Sequence, residues 1–214
     1  MGIFSSIFGK DEEEHVPRSL DHPRDLAKGD IVKFGFSAQA EISNQSFQIT
    51  NVCTYDLGGE HKQKMVFSLD ESNDTRLSVI KERGEERLEL SKIIFPEMVA
   101  EIFKINKFAR IFDEDSGTNN KLKRQDEPKD VANWTTEVYR QEAGHQAYFA
   151  DGDKRDVANF NDADGWEEFD YFLLVSDDRN YALQAEVYDG GRTDVYLITY
   201  LPIEKIEELW PAKQ

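Results

Sequence analysis

The sequence predicts an α+β fold, predominantly β, with two antiparallel β-rich lobes, barrel- or sandwich-like, each followed by a short amphipathic helix. Three observations predict it. Apolar residues alternate with polar ones over short runs, as in Phe169, Tyr171, Leu173 and Val175, the period of a strand with unlike faces. Asp- and Gly-rich turn signals separate these runs at hairpin spacing. Each half then closes on an apolar residue and a proline, Phe95-Pro96 and Leu201-Pro202, followed by apolar residues at helical spacing.

In chain order, residues 1–10 (MGIFSSIFGK) place Ile3, Phe4, Ile7 and Phe8 on one stripe of a short helix, and an acidic, proline-bearing linker over 11–25 follows. The first β-rich lobe spans 26–112. Gly29-Asp30 turns the chain into the run Ile31, Val32, Phe34 and Phe36. Tyr55-Asp56-Leu57-Gly58-Gly59 separates two further runs, and Lys81-Glu82-Arg83-Gly84 turns a hairpin in which Leu88 and Leu90 alternate with charged residues. Pro96 opens a helix over 96–104, its missing N–H costing nothing in a first turn. Lys104, Lys107 and Arg110 near its end complement the helix dipole, although Phe108–Phe112 also suits a strand. A polar connector spans 113–133. The second lobe, 134–214, reads as strands around a turn at Gly144, then Phe169–Val175 and Tyr181–Val187, then Tyr188-Asp189-Gly190-Gly191 and Val195–Tyr200. It closes on a helix over 202–210 with Ile203, Ile206, Leu209 and Trp210 inward.

The 214 residues are enough to bury a core, and 39% apolar content marks a folding chain. Forty-three acidic residues against 26 basic ones give a net charge of −17. Such a surface repels phosphate backbones, whose binding needs lysine and arginine, so no nucleic-acid partner is expected. No run approaches the roughly 20 apolar residues of a membrane span, and the start is too short for a signal peptide. The expectation is a cytoplasmic protein, with peripheral contact at the inner membrane through its first residues.

The chemistry-bearing patterns are few. Cys53 stands alone in an apolar run, and His15, His22, His61 and His145 lie in no Cys/His protease context, so Cys53 reads as a small core residue. Acid concentrates between Asp151 and Asp170. An EF-hand with Gly165 at its sixth position would use Asp162 and Asp164, but puts Phe160 first and Tyr171 twelfth, where oxygen ligands are required. No phosphate loop, nucleophile elbow, HExxH or CxxC is present. No cofactor, metal site or catalytic set is therefore assigned. Aromatics of the second lobe, Trp134, Tyr139, Tyr148, Trp166 and Tyr171, are the candidate lining of a ligand groove.

Several segments resemble an uncharacterised bacterial β-rich family of unknown function, found beside genes of phage-shock-type membrane-stress systems. They are Gly29-Asp30, Leu77-Ser78-Val79, Tyr139-Arg140-Gln141-Glu142-Ala143-Gly144, Phe169-Asp170-Tyr171 and Ala185 through Gly191. The opening MGIFSSIF resembles the start of a phage-shock membrane-binding helix. The resemblance implies an accessory role near the membrane and supplies no catalytic residues. The functional expectation is a non-catalytic adaptor docking a protein partner or membrane surface through Ile3, Phe4, Ile7 and Phe8. The alternative is a small-molecule-binding protein or hydrolase using an aromatic and acidic groove in the second lobe.

Overall fold

Among the described residues, twelve strands form two sheets, and the larger closes on itself. The computed structural model describes residues 18–58, 63–72, 74–113, 120–157 and 165–213. The N-terminal stripe Ile3, Phe4, Ile7 and Phe8 and the acids Asp162 and Asp164 lie outside these residues.

Eight antiparallel strands make a barrel: β3 (Asn51–Asp56), β4 (Gln63–Ser68), β5 (Thr75–Glu82), β6 (Glu85–Ile94), β8 (Val138–Asp151), β9 (Trp166–Val175), β10 (Tyr181–Tyr188) and β11 (Thr193–Pro202). Their order is β3-β4-β5-β6-β11-β10-β9-β8, and pairing of β3 with β8 closes the ring. The two halves of the chain thus contribute four consecutive strands each and share one barrel, joined at β6–β11 and β3–β8. Closure leaves no unpaired edge among the eight. β7 (Lys121–Lys123) adds outside β8, and a separate sheet of β1 (Ile31–Phe34), β2 (Ser46–Gln48) and β12 (Ile206–Trp210) has the order β12-β1-β2.

Local chemistry sets the turns. The two-residue connection Arg83-Gly84 has φ of 51° and 89°, the left-handed pair that suits the twist of a tight hairpin. Gly190 and Gly191, at φ 80° and 84°, turn β10 into β11. Pro96 opens α1 (Pro96–Ile102), with Phe95 extended at its N-cap. The helix stops two residues short of the expected 104, because Phe103 is extended and bridges Arg124. The chain then re-enters a short α2 (Ile105–Phe108) and a 3-10 turn, Ala109–Phe112, so Phe108–Phe112 is not a strand.

Two further expectations are corrected. Gly144 is not a turn: it lies inside the fourteen-residue β8, where a register shift between Gln141 and Ala143 absorbs Glu142 as a bulge. The segment 202–210 is not a helix but a 3-10 turn, Ile203–Lys205, followed by β12. Ile206 and Leu209 mimic a helical stripe because Glu207 is skipped in pairing with β1, where Lys33 meets Glu208 and Phe34 meets Ile206. One extra residue returns the i, i+3 pair to the same face of a strand.

The barrel wall has two unlike faces. Tyr55 on β3 reaches Glu186 on β10, and Lys64 on β4 reaches Gln184 on β10. Neither pair of strands is adjacent, so these side chains cross the interior. By strict alternation, Leu88, Leu90, Leu183, Ala185 and Leu197 point outward. They are buried there in one apolar cluster with Val32 and Phe34 of the small sheet, with Ile102 and Phe103 at the end of α1, with Trp134 of the turn before β8, and with Tyr139 on the outer face of β8. The main hydrophobic layer therefore lies outside the barrel.

Candidate functional site

The barrel interior divides along its axis. The half nearest the starts of β9 and β11 is filled. Tyr55 packs edge-on against Phe149 and Phe169 at 5.2 and 5.7 Å, and Phe169 stacks with Tyr188 at 5.2 Å. Arg76 lies over Tyr196 at 4.6 Å, and Arg192 covers Tyr188 at 3.8 Å. An eight-stranded barrel has just the bore that side chains can plug or one small ligand can occupy. Here bulky rings plug one half.

At the centre sits Glu186, fully buried. Its carboxylate accepts from Tyr188 Oη at 2.7 Å and from Gln184 Nε2 at 2.5 Å. Burial raises the Glu186 carboxyl above the ordinary range, against the opposing pull of the Tyr188 hydrogen bond, Arg76 and Lys64. Above it, Lys64 Nζ donates to Glu89 Oε1 at 2.8 Å and to Gln184 Oε1 at 3.4 Å, and stands 5.7 Å from the Tyr55 ring centre. Both members of the pair are close to 90% shielded.

The other half stays open. A cavity of about 540 Å³ runs inward from this end, with Lys64, Glu89, Tyr171 and Tyr200 at its inner part and Ile80, Leu173 and Val175 on its walls. The register accounts for the assembly: Tyr200 pairs with Glu89 across β11–β6, and Leu173 with Gln184 across β9–β10. At the rim, Arg179 spans the mouth from the β9–β10 turn. It is ion-paired with Glu82 at the end of β5 and donates twice to Glu142 of β8, at 2.7 and 3.1 Å. The result is a chamber whose walls combine Ile80, Leu173 and Val175 with polar groups such as Gln63 and Lys81, with a charged but balanced floor and an arginine across its entrance. Cavities of this size and mixture hold small molecules.

Of the candidate aromatics, only Tyr171 lines this chamber. Trp134 and Tyr139 are fully buried in the outer layer, Trp134 donating to Glu41 at 3.3 Å and Tyr139 packing on Phe103. Tyr148 and Trp166 stand on the outer face of β8 and β9, out of register with the inward-facing Ala147 and Phe169. The five do not converge into one groove. Missed in the sequence were Lys64, Glu89, Gln184 and Glu186. For Glu89, Gln184 and Glu186 the signal was present as polar residues alternating with Leu88, Leu90, Leu183 and Ala185; alternation shows that two faces differ, not which one meets water.

Cys53 is buried beside Asp151, and burial with that carboxylate pushes its thiol up to about 11, which suits a core residue and not a nucleophile. Among the described residues no group of His, Cys, Asp and Glu could hold a metal ion, and no helix is long and apolar enough to cross a membrane. Compared with family models, curated proteins and solved structures, the chain matches none.

Proposed function

We propose that the barrel is a binding module for a small amphipathic molecule, held in its open half. The ligand's apolar body packs on Ile80, Leu173 and Val175, and its polar end meets Lys64, Glu89 and the Tyr171 and Tyr200 rings. One observation carries this reading: a closed barrel with one half packed by aromatic rings keeps a cavity of about 540 Å³ in the other, floored by a shielded ion pair. The space opens to solvent at the barrel's end, so an apolar ligand body that enters it removes the surfaces of Ile80, Leu173 and Val175 from water. The hydrolase alternative asks for two carboxylates facing a substrate. Glu89 is tied to Lys64, and Glu186 is fully buried between Gln184 and Tyr188, which both donate to it, so binding is the better-supported role.

The test uses 1-anilinonaphthalene-8-sulfonate, which has an apolar body and one anionic group. The full chain should bind it saturably with a blue-shifted emission. Leu173→Trp, which fills the chamber, should abolish that binding while leaving the melting temperature within a few degrees. Saturable binding that survives Leu173→Trp would place the probe elsewhere and remove the proposal. Docking through residues 3–8 is a separate proposal, tested by comparing partner and vesicle recovery of the intact chain with a chain lacking residues 1–10.

A further inference from the structure

A second concavity lies outside the barrel, of about 760 Å³, and its charge is opposite to that of the molecule. Lys104, Lys107, Arg110, Lys121, Lys123 and Arg124 line it, and no carboxylate is among the described lining residues, in a chain of net charge −17. We infer that this pocket binds a small compound carrying several phosphoryl groups, independently of the ligand proposed for the barrel.

The fold builds the cluster from two segments. Lys104 and Lys107 belong to the N-cap and body of α2, and Arg110 to the 3-10 turn behind it. Lys121 and Lys123 flank the buried Leu122 on β7, so alternation puts both on one face of that strand. Pairing of Leu122 with Tyr139 fixes β7 to the barrel. Asn120 Nδ2 ties the two segments together by donating to the Arg110 carbonyl at 2.9 Å, and Gln125 Nε2 donates to the Ala100 and Glu101 carbonyls at 2.8 and 3.0 Å. The walls are thus held before any ligand arrives, which spares the cost of ordering them. Among the described residues, Lys123 pairs with Glu137 at 3.0 Å and Arg124 with Glu127, and Arg110 is engaged in an interaction of its own. Lys104, Lys107 and Lys121 form no ion pair among the described residues.

Range decides between the local and global charge. At physiological ionic strength fields decay over about 8 Å, so distant acids act weakly inside the pocket while its own lysines act fully. Several cations around one concavity favour a ligand with several anionic groups over a single phosphate. The acidic remainder of the surface disfavours a long polyanion such as nucleic acid, which would need cations well beyond the pocket. Phosphoryl oxygens suit these donors, because charge-assisted contacts to lysine and arginine are the strong kind.

The same chemistry could come free in solution or on a lipid headgroup, and calorimetry separates the two. Inorganic triphosphate is titrated into the full chain at about 50 mM salt, with affinity expected to fall as salt rises. The double reversal Lys107→Glu/Lys121→Glu should weaken binding by at least about tenfold per charge, the loss of one charge-assisted contact each. A control with the same charge change far from the pocket, Lys28→Glu/Lys154→Glu, should weaken it far less, and all three proteins should melt alike. Cosedimentation with vesicles containing phosphoinositides, against vesicles of neutral lipid, tells whether headgroups are also accepted. Binding of triphosphate alone assigns a free compound, and reversal-sensitive binding to the charged vesicles assigns a headgroup. No saturable binding to either, or equal losses in the pocket and control variants, would overturn the assignment.

Discussion

Replacing Lys64 by methionine should cost the protein about 3 kcal/mol, although it removes only one salt bridge. Lys64 and Glu89 sit 2.8 Å apart with about 9% and 8% of their side chains exposed. At an effective dielectric near 20, their attraction is about 6 kcal/mol, and it offsets a desolvation cost of several kcal/mol for each ion. The intact pair is therefore near neutral for stability. Methionine keeps the stem's volume but leaves Glu89 with its desolvation uncompensated, and breaking a buried pair this way costs about 3–5 kcal/mol. The lower end applies because the chamber opens to solvent. In a chain of this length that corresponds to a fall in melting temperature of about 6–12 °C. Urea unfolding followed by tryptophan fluorescence measures the effect, and Lys64→Met/Glu89→Leu should recover to within about 1 kcal/mol of the starting protein. A single-mutant cost below about 0.5 kcal/mol, or costs in the double mutant that simply add, would refute the claim that the pair is shielded inside the barrel.

Further outcomes follow from the same geometry. Leu90→Ala, in the outer layer, should destabilise by about 2–5 kcal/mol in the same unfolding assay. Glu186 holds its proton more tightly folded than unfolded, so its contribution to stability falls as pH rises above the unfolded carboxylate value of about 4.3. Glu186→Gln should flatten the stability–pH curve above that point, and an unchanged slope would contradict the burial of this carboxyl. Cys53, with its thiol pushed up to about 11, should react with a thiol reagent at pH 8 only as fast as the protein opens, giving rates that rise on adding urea. Arg179→Ala removes the arginine across the mouth and should speed association of 1-anilinonaphthalene-8-sulfonate in stopped flow.

What the sequence carried was local. The Arg83-Gly84 hairpin, the Asp189–Gly191 turn and the proline start of α1 are each written in two or three residues, and the structure has all three. The pairings that close the barrel, β6 with β11 and β3 with β8, join residues about a hundred positions apart and leave no local signature. The interior was hidden for a different reason. Gln184 and Glu186, alternating with Leu183, Ala185 and Val187, have the pattern of a strand with a wet face, and only closure turns that face inward. The basic pocket was split in the same way. Lys104, Lys107 and Arg110 read as complements to a helix dipole, while Lys121 and Lys123 sat in a polar connector, and the fold brings them to one concavity.

The most direct test of a ligand chamber inside the barrel is methyl NMR of the full chain during titration with 1-anilinonaphthalene-8-sulfonate. The methyl signals of Ile80, Leu173 and Val175 line the chamber, whereas those of Leu88, Leu90 and Leu197 lie across the wall in the outer layer. Saturable shifts in the first set, with the second nearly still, are the predicted result. Shifts in the outer set alone, or none in the inner set at saturating probe, would contradict a binding function for the barrel.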